Sequence, residues 1–208
     1  MFFWTVRAAN GVANPANFDH LSNTMAILKI ARMGHPVLRR SAEPVADCSE
    51  QALHRMIADM GDTMRVAPGV GLAAPQVFSG TRVIVFRVPT ERDDDDDGDR
   101  SGIPETALIN PEITPLTDRL VLGWEGCLSV PGLRGLVPRY PRIGYRGWRP
   151  DGSLVENEAS GFLARVIQHE CDHLDGILYI DRMPDLRLLV FEEEIGNFKL
   201  SDYDDDDA

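Results

Sequence analysis

Two histidines four residues apart, with a glutamate directly after the first, lie inside the most regular apolar pattern of this chain: His169-Glu170-Cys171-Asp172-His173. Phe162, Leu163, Val166 and Ile167 precede them at helical steps, and a Ser160 start and Gly176 stop predict one helix across the segment. At 3.6 residues per turn the two histidines point about 40° apart and one turn along the axis, so both imidazoles can reach one metal ion with Glu170 beside them. Glu170 is then placed to take a proton from water at that ion. The plainer alternative is a helix carrying two partly buried polar histidines. Burying two imidazoles and a carboxyl without partners is costly, so the metal reading is the better one. Any fold for this chain must bury that helix and leave space over its polar row.

The helix does not settle the third ligand, and the third ligand decides the class. A metzincin-type protease needs another histidine at the sixth position after His173; Gly176 is in place at the third, but the sixth is Tyr179. A thermolysin-type protease would draw on a later glutamate, and Glu192, Glu193 and Glu194 follow His173 by 19 to 21 residues. The other candidate is Cys127, 42 residues before His169 in Glu125-Gly126-Cys127-Leu128-Ser129. A thiolate with two imidazoles leaves a fourth position open, as in a catalytic site.

Charge and cysteine usage narrow the setting. The net charge of −12 over 208 residues is the wrong sign for a protein that binds nucleic acid by neutralising phosphates, so no direct nucleic-acid binding is expected. Residues 91–100 carry −5 of it and residues 199–208 carry −4, which predicts a solvated loop and an acidic tail on a nearly neutral body. Cys48, Cys127 and Cys171 are an odd set without close pairing, which points to a reducing compartment, the cytoplasm, and to a chemical role for at least one thiol. No run approaches the ~20 apolar residues that would cross a membrane. Residues 1–24 lack a helical stripe and carry only Arg7 as a positive charge; the expectation is a poorly ordered extension upstream of Met25 as the true start.

The remaining pattern predicts the frame. Leu53, Met56, Ile57, Met60 and Met64 mark an amphipathic helix from Asp47 to Val66, capped by Asp47 or Ser49 and stopped at Pro68-Gly69. His54 on that helix and His35 in a Gly-His-Pro turn are read as structural. Arg82 to Val88 is β-branched and aromatic, hence a strand, with further strands at Ala107 to Ile109 and Arg119 to Leu122. Ile143 to Trp148 and Ser153 to Glu158 flank Pro150-Asp151-Gly152 as an antiparallel hairpin. The sum is one α+β domain over 25–184, mostly antiparallel strands around a central metal-binding helix, followed by a C-terminal helix and acidic tail over 185–208.

Three segments resemble the signature motifs of the peptide deformylases, in the right order: Gly69-Val70-Gly71-Leu72-Ala73-Ala74-Pro75-Gln76, Glu125 to Ser129, and Gln168 to Gly176. The setting from Trp124 to Arg134 is similar to the proteobacterial members. The resemblance implies hydrolysis of the formyl group from the N-terminal formylmethionine of new polypeptides. It implies one metal ion on Cys127, His169 and His173, natively Fe(II), with Zn(II) or Ni(II) also accepted. Glu170 would take the proton of the attacking water and pass it to the departing amine, while the Leu128 backbone N–H and the Gln76 amide face the oxyanion. Gly71 would bond the peptide in strand fashion, and Val70, Phe162, Arg165 and Val166 would wall the methionine pocket. Arg165 stands where many bacterial relatives carry an apolar residue, and its stem is expected to line the pocket with the charged head outside. Pro75 replaces a threonine. Cys171 points about 200° from His169 and is read as packing; Asp172 and Glu125 are expected to support the ligands, with Arg139 as partner. Some relatives dock on the ribosome through a basic C-terminal helix; this acidic end predicts only transient ribosome contact.

Removing one thiol separates the two enzyme readings. Cys127→Ala is expected to abolish both metal content and activity, measured by metal analysis and hydrolysis assay. An endopeptidase using Glu192, Glu193 or Glu194 would keep both.

Overall fold

The computed structural model describes residues 26–90 and 102–202, so the N-terminal extension, the acidic tract at 91–100 and the Asp204 to Asp207 tail fall outside the described residues. Ten elements carry the fold: α1 (Gln51–Val66), β1 (Gly71–Ala73), β2 (Val83–Val88), β3 (Ile103–Pro115), β4 (Val121–Cys127), β5 (Val130–Arg139), β6 (Arg142–Trp148), β7 (Leu154–Ser160), α2 (Gly161–Leu174) and β8 (Leu189–Phe191). The strands form two antiparallel sheets, ordered β1-β2-β3-β6-β7 and β4-β5-β8. An α+β arrangement dominated by antiparallel strands is therefore what the chain adopts.

The continuous apolar run of β2 has a direct cause. Its alternate side chains serve two cores, Ile84, Phe86 and Val88 against α2, and Val83 and Val85 against α1. The five-stranded sheet is thereby covered on one face by Leu53, Met60 and Met64 of α1, and on the other by Leu163, Ala164, Ile167, Cys171 and Leu174 of α2. A third cluster, with Val130, Val137, Leu178 and Tyr179, lies under the three-stranded sheet. Apolar to one side, α2 turns its other side to β4 and β5: Arg165 and His169 bond Glu125, Asp172 bonds Arg139, and Gln168 bonds the Tyr140 backbone. The histidine pair is placed by this division of the helix.

Several elements differ from the sequence reading. The predicted C-terminal helix is absent among the described residues beyond 184. Leu189, Val190 and Phe191 instead pair with Leu133 to Gly135 at the free edge of β5, and Glu192–Asn197 makes only tight helical turns. Leu189, Val190 and Phe191 suit the open edge of β5, and pairing there takes these residues out of any helix. Helix α1 starts at Gln51 without a side-chain cap, because the Asp47 carboxylate is taken by the Ser49 N–H and hydroxyl at 2.8 and 2.6 Å. Strand β3 runs well past Ala107 to Ile109, with a register shift between Ile109 and Glu112 around Asn110, whose φ is 51°. Strand β4 starts at Val121 and continues to Cys127, and β5 was not anticipated at all. The hairpin of β6 and β7, paired from Arg142↔Ser160 to Trp148↔Leu154, lies where the Pro-Asp-Gly turn puts it. His35 caps the turn Pro36–Arg39, and exposed His54 bonds the Cys48 carbonyl at 2.7 Å.

Candidate metal centre and cleft

Strands β4 and β5 bring Cys127 to the polar face of α2. The thiol of Cys127 and one ring nitrogen each of His169 and His173 lie within 4.8 Å of one another, with Cys127 Sγ 3.2 Å from His173 Nε2. The rings of His169 and His173 meet edge to face at 5.0 Å. His169 is oriented by its other nitrogen, Nδ1, which shares a 2.8 Å hydrogen bond with Glu125 Oε2 and leaves Nε2 for the cluster.

Glu125 is held in turn. Arg139 bonds both of its oxygens, Nε to Oε1 at 2.9 Å and Nη2 to Oε2 at 3.1 Å, and Arg165 Nη1 reaches Oε1 at 2.9 Å. Arg139 also bonds Asp172 at 2.5 Å, and Arg182 bonds the same carboxylate at 2.8 and 3.2 Å. The pairing of Glu125 and Asp172 with Arg139 is thus present as the sequence reading placed it. Burial pushes the Glu125 carboxyl up, but bonds and charge from His169 and Arg139 outweigh that and hold it well below the usual carboxylate range. Burial likewise raises the Cys127 thiol, and His173 and His169 overcome it to leave the thiol well below its ordinary value. Thiolate is the form that ligates a metal, so this donor set suits an ion of intermediate softness.

Glu170 is buried, and its Oε2 has no hydrogen-bond partner. Burial lifts its carboxyl to about 7. A Cβ on Gly71 would run into the same carboxyl, so the glycine is what lets β1 lie against Glu170. Gln76, also buried, accepts from the Ala73 N–H at 2.8 Å and turns its Nε2 toward Ser129 Oγ at 3.1 Å and Cys127 Sγ at 3.5 Å. Leu128 sits in the β4–β5 connection, its side chain facing Gly69.

Part of this network opens onto a cleft of about 990 Å³. Cys127, His169, Glu170, Gln76, Gly71, Leu128, Val70, Phe162, Arg165 and Val166 line it. His173 alone of the anticipated site residues does not, being 1% exposed beneath the others. Cys171 packs in the α2 core, where burial lifts its thiol to about 12. Two expectations are corrected. Glu192 stands at the cleft rim in an ion pair with Arg134 and takes no part in the thiol and imidazole cluster. The head of Arg165 is turned inward, onto Glu125 and the carbonyls of Val121, Gly123 and Val137, where a carboxylate and three carbonyls accept its donors. Ser129 and Arg182 were missed; a hydroxyl within a motif and an arginine beyond the helix give no periodic signal.

A thiol and two imidazoles beside a buried carboxyl on the floor of an open cleft is the arrangement of a mononuclear metallohydrolase. The family model described as polypeptide deformylase matches residues 27–188. Peptide deformylase 1 of Prochlorococcus marinus is 47% identical over 178 residues, covering 82% of this chain and 88% of that protein. Peptide deformylase 1 of Bordetella pertussis is 51% identical over 164 residues, covering 79% and 92%. Among solved structures, the Met-Ala-Ser complex of the class I type b peptide deformylase of Acinetobacter baumannii superposes with a TM-score of 0.68 at 36% identity, covering 76% of this chain and 99% of that one. The chain belongs to the polypeptide deformylase family.

Arg139 separates a buried network from surface pairs. Arg139→Met leaves the buried carboxylates of Glu125 and Asp172 short of a cation and is expected to cost about 3–5 kcal/mol in urea unfolding. Arg146→Ala, which breaks the exposed pair with Glu112, is expected to cost less than about 1 kcal/mol.

Proposed function

We propose that Cys127, His169 and His173 hold one metal ion at the floor of the cleft and that Glu170 carries the proton of a hydrolysis there. The reaction is that of the family: removal of the formyl group from the N-terminal formylmethionine of newly synthesised polypeptides. The observation that carries the reading is the convergence of the thiol and both imidazoles within 4.8 Å, with the buried, unpartnered Glu170 oxygen beside them. The downstream glutamates provide no alternative ligand set, since the thiol completes the cluster without them.

An ion held by Cys127, His169 and His173 would supply Lewis acidity to the hydrolysis and make water more acidic. Thiolate and imidazole donors suit Fe(II), Zn(II) and Ni(II), and the family resemblance favours Fe(II). Glu170, with a proton affinity near neutrality, accepts a proton from the attacking water and returns it to the amine that leaves as the C–N bond breaks. Gln76 Nε2, held close to Cys127, and the Leu128 backbone N–H donate to the negative oxygen of the tetrahedral intermediate. Gly71 offers its backbone to the peptide in strand fashion, and Val70, Phe162, Val166 and Arg165 receive the methionine side chain. The solved relative holding Met-Ala-Ser supports a peptide lying in this cleft. The enzyme acts in the cytoplasm on nascent or newly released chains. Its contact with the ribosome is transient, since the described C-terminal segment is a strand and acidic turns and offers no basic helix.

Iron-loaded protein, purified anaerobically and given formyl-Met-Ala-Ser, is expected to release formate. Glu170→Gln is expected to keep its metal and lose about 10²–10⁴-fold in turnover. No formate at confirmed metal occupancy contradicts the reading, and a Glu170→Gln protein that keeps full turnover contradicts the role of the glutamate.

A further inference from the structure

Beyond Leu188, where the match to the family model stops, the chain returns to the cleft. Strand β8 extends the three-stranded sheet, with Leu133↔Phe191 and Arg134↔Val190 as partners. The next residue, Glu192, accepts from Arg134 through Nε at 3.1 Å and through Nη2, both onto Oε1. Further on, the Phe198 ring meets the Trp124 ring edge to face at 5.0 Å. Strand pairing, ion pair and ring contact together fasten residues 189–198 to β4 and β5. Trp124, Arg134, Glu192 and Ile195 line the same cleft as Cys127, His169 and Glu170, whereas Glu193 and Glu194 do not.

The charges along this rim depend on Glu192. Arg32 and Arg134 both line the cleft, and Arg32 is exposed and outside every ion pair among the described residues. Arg165, the remaining arginine of the lining, is turned onto Glu125. Without Glu192 the cleft would therefore carry two cations free to meet a substrate. We propose that residues 189–198 form the outer wall of the substrate cleft, and that Glu192, by pairing with Arg134, sets the charge that this wall shows to the residues following methionine. This rests on the deformylase reading: the formyl group must reach the thiol and imidazoles, so the rest of the peptide leaves across the rim. Glu192 gives Arg134 one carboxylate oxygen and its side chain stays 55% exposed, which leaves the other oxygen to meet a passing lysine or arginine. The same pair keeps Arg134 from holding an acidic residue. Ile195, half-buried, adds an apolar contact that is indifferent to charge.

The test compares formyl-Met-Glu-Glu, formyl-Met-Lys-Lys and the uncharged formyl-Met-Gln-Gln as substrates of the metal-loaded, full-length protein, with binding of the unformylated peptides followed by calorimetry. Glu192→Gln is expected to raise the ratio of kcat/KM for the Glu-Glu peptide over the Lys-Lys peptide at least about threefold at low salt, through KM more than kcat. The change is expected to shrink as salt is added, and the calorimetric affinities to shift in the same direction. The double variant Glu192→Gln, Arg134→Gln removes both partners and is expected to return the ratio to near its wild-type value. A variant that only disturbs the site would lower all three peptides together and leave the ratio alone. A wild-type ratio in active Glu192→Gln protein, or a double variant that keeps the ratio of the single one, overturns the proposal. A wild-type protein that releases formate from none of the peptides overturns the deformylase reading instead.

Discussion

One buried carboxylate organises this molecule. Glu125 receives hydrogen bonds from Arg139, Arg165 and His169 at 2.8 to 3.1 Å, and each partner belongs to a different part of the fold: β5, one turn of α2, and the next turn of α2. Glu125 lies two residues before Cys127 on the same strand. The contact that orients one imidazole therefore also fixes how far β4, and with it the thiol, stands from α2. A lone charge in this place would be strongly destabilising. Two arginines and an imidazole make it tolerable, and the Arg139 bond to Asp172 carries the same network toward His173.

Helix α2 shows why much of the site could be read before the fold was seen. Its apolar positions, Leu163, Ala164, Ile167, Cys171 and Leu174, face the five-stranded sheet, and its polar positions face β4 and β5. That division is written in the 3.6-residue period. The histidine pair, the glutamate and the inert Cys171 followed from it directly. Cys127 did not. Its distance of 42 residues from His169 is a matter of strand pairing, and no local pattern records which strand returns to which helix, so the thiol stood beside Glu192 to Glu194 as one option until three motifs were taken together.

What stayed unread was mostly the three-stranded sheet. Strand β5 contains Pro131, Gly132, Gly135 and Pro138, which weaken any strand signal, and it is held by pairing with β4 and β8. The end of the chain was misjudged for a related reason: Leu189 to Phe191 is too short to declare itself, and the free edge of β5 decides its conformation. Arg165 lines the cleft, but its head turns onto carbonyls of β4 and β5 where the sequence reading sent it to solvent, because which strands lay their carbonyls beside α2 is a matter of tertiary pairing. These are tertiary effects overriding local preference.

The proposed ligands, a thiolate brought in by β4 and two imidazoles from α2, are read by X-ray absorption at the iron edge of the anaerobically loaded protein. One sulfur and two imidazole nitrogens are expected around the iron, with the sulfur contribution vanishing in Cys127→Ser. A shell of nitrogen and oxygen alone in the wild-type protein would contradict that ligand set.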